Sequence, residues 1–337
     1  MANMSMTEQI ESALNAVTVN FSPNSGQVST LRRLSGGASQ EIWAFELSSP
    51  SAPTKRFILR RAPGGVTPEA SGHSLSLTTE AQILQAVQQD GLNVPDVHYI
   101  CTPQDGLGAG YIMSFVEGET IARKIQRDQA FAPARETFAT DCGAALAAIH
   151  QTPLQTLPAD LPVSSGLDQI MRYEEIYRHL DIPRPTFDLA FQVLKETAPA
   201  NSETVLVHGD FRLGNLMLNE TGLTAVLDWE LAHLGDARED IGWICVNSWR
   251  FGAADKRVGG IDQLQPLLDA YMAAGGARIQ SNDIDWWEML GTLKWGIMCM
   301  IMYDTYRTGG DVSVERAAIG RRVSETEIDL INLLESL

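Results

Sequence analysis

Cysteine is scarce in this chain, and its four residues are widely spaced. Cys101, Cys142, Cys245 and Cys299 stand about 40 to 100 residues apart. No C-x-x-C occurs, so neither a zinc site nor a disulfide framework is expected. The thiols read as buried groups of a reducing compartment. Long apolar runs are missing too. The longest, Trp295–Tyr303, is far short of the ~20 residues a bilayer requires. Residues 1–20 carry Glu8 and Glu11 and no apolar core, unlike a secretory leader. Basic residues are outnumbered: 25 Lys and Arg face 42 Asp and Glu, a net charge of −17. That sign argues against a nucleic-acid partner and against an anionic membrane partner. The expected location is therefore cytoplasmic. There is no internal repeat and no low-complexity tract. What remains is ordinary globular composition, 44% hydrophobic and 20% charged, over 337 residues. That length suits two domains or one two-lobed enzyme.

The first third reads as strands with one helix. Leu31–Leu34, Ile42–Leu47 and Arg56–Arg60 are expected strands, the first two joined by the turn Ser35-Gly36-Gly37-Ala38-Ser39. Residues 62–76 are rich in Gly, Pro and Ser and read as a loop. A helix is expected from Thr79, with Thr79 and Gln82 as its capping box, to Asp90 before Gly91. Glu80 falls on the same stripe as Ile83 and Leu84, and an inward carboxylate needs a partner. Tyr111–Val116 is a further strand. Beyond it the pattern is helical, with helices expected up to His150 and at 168–180, 187–197, 263–274, 285–306 and 324–334. Residues 116–337 carry 19 basic and 33 acidic residues, against 6 and 9 in residues 1–115.

One β-rich island, 204–228, interrupts the helices. Val205–Val207 leads into the polar loop His208-Gly-Asp210-Phe-Arg212-Leu-Gly-Asn215. Leu216–Leu218 and Thr224–Leu227 flank a glycine-containing turn and read as a hairpin ending at Asp228. Pairing of this kind is expected to bring Asp210, Asn215 and Asp228 to one end of a small sheet. Hard oxygens so gathered suit Mg²⁺, which completes its shell with phosphates and water.

The run His208-Gly-Asp210-x-x-x-x-Asn215, with Leu227-Asp228-Trp229-Glu230 and Gly235-Asp236-x-x-x-Asp240, resembles the aminoglycoside phosphotransferase and choline-kinase-like family. Similar domains occur fused to some acyl-CoA dehydrogenases. The resemblance covers roughly residues 30–245 and implies an α+β, two-lobed protein-kinase-like fold. Its N-terminal lobe, 1–115, has an antiparallel sheet and one helix. Its C-terminal lobe, 116–337, is mainly helical and carries the catalytic hairpin, with the active cleft between the two. By position, the resemblance makes Asp210 the base for an acceptor hydroxyl and Arg212 a cation on the moving phosphoryl group. It makes Asn215 and Asp228 the magnesium ligands, and Asp240 the buried anchor of the loop, a role Asp236 is placed to share. Upstream it implies that Ser35, Gly36, Gly37, Ala38 and Ser39 cover the ATP phosphates. Arg60 stands where kinases place a phosphate-holding lysine, Glu80 is its ion-pair partner, and Met113, Ser114, Phe115 and Val116 are the adenine-facing hinge. The implied activity is transfer of the γ-phosphoryl group of Mg·ATP to a hydroxyl of a small acceptor, whether aminoglycoside-like, an amino alcohol or a hydroxyacyl compound.

The departures keep other readings open. Position 60 is Arg, with Arg61 as a rival, and the glycine loop is thin; both fit a non-catalytic nucleotide binder. Trp229-Glu230 replaces the Phe-Gly of protein kinases. Asp96-x-His98 with Gly209-Asp210 superficially fits a metallophosphoesterase, but no His follows Asn215 and no G-H-x-H occurs. His208 and His150 read as structural. The Trp- and Met-rich stretch 286–302 reads as core, and Asp283, Asp285, Glu288 and Asp304 as a solvated face.

Overall fold

The computed structural model describes residues 5–22, 26–34, 40–49, 52–65, 75–89, 91–200 and 202–335. Two units emerge. One holds Met1–Gly118 with Gln155–Leu161 and Thr224–Ala232, and the other holds Glu119–Leu154, Pro162–Leu223 and His233–Leu337. Two later segments thus belong with the N-terminal region, which a division at one chain position does not convey.

The first unit begins with a helix that the polar Thr and Asn content of its stretch had hidden, α1 (Met6–Phe21). A capping box starts it: Ser5 Oγ accepts the Glu8 N–H at 3.3 Å, and the Glu8 carboxylate accepts the Ser5 N–H at 2.7 Å. Then come β1 (Val28–Leu34), β2 (Glu41–Ser49), β3 (Ala52–Arg61), α2 (Leu77–Gln89), β4 (Val97–Ile100) and β5 (Gly110–Ser114). The strands form one antiparallel sheet in the order β1-β2-β3-β5-β4. Period-two alternation sorts its side chains. Trp43, Phe45, Leu47, Phe57, Leu59 and Ile112 pack with Ile10, Leu14 and Val17 of α1. The opposite face carries Ile58 and Arg60, with Tyr111 directly across from Arg60. The α2 cap differs from expectation. Ser76 Oγ accepts the Thr79 N–H at 3.0 Å, so the helix starts two residues before Thr79, and Thr79 lies inside its first turn. The strand expected over 111–116 ends at Ser114, and β4 was not foreseen because it is only four residues long.

The second unit runs through α3 (Ala122–Arg127), α4 (Ala132–His150), α5 (Gly166–Leu180), α6 (Pro185–Glu196), β6 (Thr204–Val207) and β7 (Leu216–Leu218). A turn, in which Asn219 Oδ1 accepts the Thr221 N–H at 2.8 Å, leads into β8 (Leu223–Val226). It resumes with β9 (His233–Asp236), α7 (Arg238–Cys245), α8 (Leu264–Ala273), α9 (Ser281–Arg307), α10 (Val314–Gly320) and α11 (Val323–Glu335). Strands β6 and β9 pair antiparallel, with Val207 opposite His233. Helix α9 is the spine. Every residue from Trp286 to Ile297 is buried, as expected of a helix enclosed on all sides. Trp286, Trp287, Leu290, Leu293 and Trp295 form one core with Phe187, Phe191 and Trp243. A Cβ on Gly242 would stand 2.5 Å from the Trp287 Cβ, so glycine there lets α7 lie directly on α9. Glu288 is part of this buried stretch and not of a solvated face: it accepts from Arg250 at 2.6 Å and from Arg257 at 2.7 Å. Among the described residues, no helix is long and apolar enough to cross a membrane.

Candidate active site

In the first unit, the polar core of the inner sheet face is a charge cluster around Arg60. Its Nε lies 3.3 Å from Glu80 Oε2. Its NH2 donates to Asp228 Oδ1 at 2.7 Å and to Glu230 Oε2 at 3.4 Å. Arg60 and Glu80 are 7% and 1% exposed, so neither charge can lean on water. Burial, the largest influence on Glu80, pushes its carboxyl up to about 7, against the pull of Arg60. Burial also opposes the Arg60 charge, yet the surrounding acids hold Arg60 above its ordinary value. The two partners differ because the cation gathers three carboxylates, whereas Glu80 shares its one cation with two competitors. Arg61, one residue on, faces the α1 side of the sheet. There it donates to Glu41 at 2.8 Å and to the Leu107 carbonyl at 3.0 Å. Strand alternation therefore decides between the two arginines, and Arg60 is the one beside Asp228.

Asp228 reaches this cluster across 168 residues of sequence because its neighbour anchors it. Trp229 is fully buried, and its indole N–H donates to the Val226 carbonyl at 3.2 Å. Asp228 itself takes φ +65°, a left-handed conformation that Asp tolerates better than most residues and that recurs at functional sites. Met113 and Ser114 sit on β5 opposite Ile58 and Phe57. The Phe115 N–H donates to the Arg56 carbonyl at 3.1 Å, and the Arg56 guanidinium lies 3.7 Å from the centre of its ring. Asp96 and His98 are engaged with Ser114, His98 Nε2 lying 2.7 Å from its Oγ. Ser35, Gly36, Gly37, Ala38 and Ser39 lie outside the described residues.

In the second unit, β6 delivers the loop after His208. Asp240, fully buried at the start of α7, fastens that loop. Its carboxylate accepts the His208 N–H at 2.8 Å and the Gly209 N–H at 2.9 Å, and lies 3.2 Å from His150 Nε2. Gly209 has φ +80°, which admits the turn that points both amides at one carboxylate. His150, at the end of α4, is steadied in turn by the Tyr271 hydroxyl at 3.0 Å. Asp236 does not share the anchoring. It is bound to Arg238 instead, at 2.9 Å and 2.5 Å.

The loop so held presents Asp210. Its Oδ1 accepts from Arg212 Nε at 2.9 Å and from Trp243 Nε1 at 2.7 Å, and its Oδ2 accepts from Asn215 Nδ2 at 2.6 Å. Asn215 Nδ2 also donates to the Asp210 carbonyl at 3.0 Å, which fixes the carboxamide with its oxygen as the remaining ligand atom. The Arg212 guanidinium lies over Trp249, 4.6 Å from the ring centre. Behind Trp243, the buried Lys294 ammonium stands 5.0 Å from the indole and 3.3 Å from Glu239. Asp210, Arg212 and Asn215 are thus brought together within this unit, as Arg60, Glu80 and Asp228 are within the other. Trp243 and Glu230 are additions that sequence reasoning missed. Glu230 had a signal in its place two residues after Asp228; Trp243 had none, being one of several tryptophans on apolar helix faces.

A sheet whose third strand pairs a buried cation with a helix carboxylate, together with an Asp-x4-Asn loop tied down by a buried aspartate, defines a protein-kinase-like fold. The chain belongs to the phosphotransferase enzyme family APH, whose model matches residues 30–281. It is similar to acyl-CoA dehydrogenase family member 10 of Mus musculus, 31% identical over 200 residues, covering 57% of this chain and 18% of that one. It is also similar to family member 11 of Pongo abelii, 24% identical over 295 residues, covering 81% of this chain and 37% of that one. The chain thus spans well under half the length of these relatives. Among solved structures, an aminoglycoside phosphotransferase-like protein from Ralstonia eutropha JMP134 superposes with a TM-score of 0.76 at 22% identity, covering 96% of this chain and 98% of that one. A choline/ethanolamine kinase family protein from Mesorhizobium loti gives 0.63 at 15% identity, covering 98% and 95%. An aminoglycoside phosphotransferase in complex with AMP-PNP and hygromycin B gives 0.60 at 15% identity, covering 96% and 98%. The chain is a kinase-type enzyme.

Proposed function

We propose that this enzyme transfers the γ-phosphoryl group of Mg·ATP to a hydroxyl of a small molecule. The observation that carries the reading is the Asp210 carboxylate. Three donors aim it, and it sits on a loop whose backbone is itself fastened by Asp240. A group that must take a proton from an alcohol as the oxygen attacks phosphorus needs that fixed aim more than it needs strength. The acceptor oxygen bonds the γ-phosphorus, the bond to the β-bridging oxygen breaks, ADP leaves, and the proton passes to Asp210. Arg212 spreads the charge of the moving group, and Arg60 holds the nucleotide phosphates. The loop 35–39 is assigned to those phosphates by its sequence alone.

Magnesium fits the donor set. By the family resemblance Asn215 and Asp228 are the residues that would hold it, each through an oxygen of the hard kind this ion prefers. The Arg60 cluster also sets one positive charge against three carboxylates, a deficit that a dication beside Asp228 balances. When bound, the ion would neutralise phosphate charge. The likeness to acyl-CoA dehydrogenase family members favours a hydroxyacyl compound in the acceptor panel, and the likeness to aminoglycoside phosphotransferases and to a choline/ethanolamine kinase family protein favours aminoglycosides and amino alcohols. A non-catalytic nucleotide binder is the second reading, resting on arginine at position 60. The test is Asp210→Asn, with ADP release followed under Mg·ATP across an acceptor panel that includes hydroxyacyl thioesters. Transfer should fall at least about a thousandfold with nucleotide affinity little changed. Undiminished transfer overturns the assignment of Asp210. Mg·ATP binding with no turnover on any acceptor favours the non-catalytic reading.

A further inference from the structure

Lys294 is a buried cation that the reaction outlined above leaves unused. It lies within the enclosed stretch of α9 and is 7% exposed. An ammonium has three hydrogens to give. Among the described residues Lys294 gives one, to Glu239 Oε1 at 3.3 Å. Its other neighbours are rings: the ammonium stands 5.0 Å from the Trp243 ring centre and 5.8 Å from that of Tyr173. Burial opposes the charge, yet Tyr173, Glu239 and Asp210 together hold the ammonium above the ordinary lysine value, so the group is a cation. As a fold device, a buried ammonium–carboxylate pair gains little over two apolar side chains of the same volume, because the loss of hydration offsets its attraction.

Glu239 fixes where that cation stands. Its carboxylate also accepts from Gln169 at 2.6 Å and lies 3.0 Å from His233 Nε2, so α5 and β9 help to hold it. On the other side of the cation is Trp243, whose indole N–H donates to Asp210 Oδ1 at 2.7 Å, the short end of the usual N–H···O range. The indole therefore meets a cation at its face and an anion at its N–H. A positive charge over the face draws electron density from the ring, and that makes the N–H a stronger donor. Arg212 and Asn215 belong to the same loop as Asp210, so among its three donors only Trp243 ties the carboxylate to the helical core.

Resting on the phosphotransferase reading above, we propose that Lys294 is a positioning residue for Asp210 and acts through the Trp243 indole. Its charge strengthens the one hydrogen bond that fixes the carboxylate against the core, and Glu239 keeps the charge at the ring. The carboxylate then holds its aim while the acceptor oxygen closes on phosphorus.

The test compares Lys294→Met, which keeps the length and removes the charge, with Lys294→Arg, which keeps the charge. Each is made alone and together with Trp243→Phe, which keeps a ring beside the ammonium and removes the N–H. Two quantities are read on the full chain. One is the Trp243 indole N–H resonance in protein carrying isotope-labelled tryptophan. The other is Mg·ATP hydrolysis with water as the acceptor, followed as ADP release. Lys294→Met should move the resonance upfield, lower kcat about three- to tenfold and leave KM for Mg·ATP unchanged. Lys294→Arg should retain most of both. In the Trp243→Phe background Lys294→Met should change kcat by less than about twofold, because its route to Asp210 is already gone. The proposal is overturned by equal losses in the two backgrounds, by an unmoved indole resonance, by an undiminished kcat, or by methionine and arginine variants that behave alike. Should Lys294→Met not fold, Lys294→Met with Glu239→Gln removes both charges and is held to the same readouts. If wild type neither binds nor hydrolyses Mg·ATP, the phosphotransferase reading falls, and the indole resonance alone judges the link from Lys294 to Trp243.

Discussion

At the scale of single residues, the site works by giving each charge a fixed neighbour. Trp243 is the clearest case. It spends its only polar atom on Asp210 Oδ1 at 2.7 Å while its ring is buried in the core. A hydrogen bond to a charged group is worth about 1.5–3 kcal/mol. Trp243→Phe keeps most of the packing and removes that bond, so kcat should drop roughly 10- to 100-fold while KM for ATP stays put. Stopped-time ADP assays at saturating acceptor measure this; an unchanged kcat would show that Arg212 and Asn215 hold the carboxylate unaided. Arg60 makes the complementary point. Taking it away leaves Glu80, Asp228 and Glu230 facing one another, and breaking a buried pair this way costs about 3–5 kcal/mol. Arg60→Met should therefore melt well below wild type, and millimolar Mg²⁺ should recover part of the loss by supplying positive charge. Calorimetric melts with and without the ion decide it, and a magnesium-insensitive variant would remove the ion from this cluster.

At the scale of elements, the catalytic loop takes its shape from α7 more than from itself. Two of its backbone amides end on Asp240, and α7 is placed by the glycine contact of Gly242 with α9. Asp240→Asn replaces one acceptor by a donor in front of an N–H. It should lower stability by about 3 kcal/mol and, through displacement of Asp210 by a fraction of an ångström to an ångström, cut kcat about 100-fold. Urea melts and turnover at saturating substrates test the two effects separately; a loss of stability without a loss of turnover would make Asp240 a fold residue only. The same geometry explains what the sequence could reveal. The spacing of His208, Asp210 and Asn215 is legible because a short loop leaves its side chains few places to go. Glu80 is legible as a carboxylate on an apolar stripe, whereas its partner comes from the family resemblance, and only the observed strand faces decide between Arg60 and Arg61. Trp243 is not legible, because its role depends on the packing of α7 on α9, and no local pattern encodes that. Helix α1 is hidden by β-branched Val17, Thr18 and Val19, which are poor helix formers; the packing of Ile10, Leu14 and Val17 on the sheet overrides their preference. Helix α7 is hidden likewise by a glycine in its middle.

At the scale of the whole molecule, the excess of negative charge is survivable because the few buried charges are matched. The buried stretch of α9 contains Lys294 and Glu288, and each is met: Lys294 by Glu239, and Glu288 by Arg250 and Arg257. Glu239 is the hub of the first group, accepting from Gln169 at 2.6 Å and lying 3.0 Å from His233 Nε2. Burial by itself would raise its carboxyl. The His233 imidazole and the Lys294 ammonium outweigh that and pull it from 4.5 to about 2. A carboxyl held low in the folded state is protonated more readily in the unfolded chain. Its contribution is therefore complete above about pH 4.5 and is lost as the pH falls toward 2. A shift of this size corresponds to about 3 kcal/mol at neutral pH, supplied to the core beside Trp243. Chemical denaturation at a series of pH values from 7 to 2.5 should show wild-type stability declining through that window. Glu239→Gln removes the titrating group, so it should start lower at pH 7, by about 3–5 kcal/mol because Lys294 is left without its counter-charge, and should decline less steeply between pH 4.5 and 2.5. Parallel curves for the two proteins would mean that the acid sensitivity lies in other carboxylates and that His233 and Lys294 do not hold the Glu239 carboxyl low.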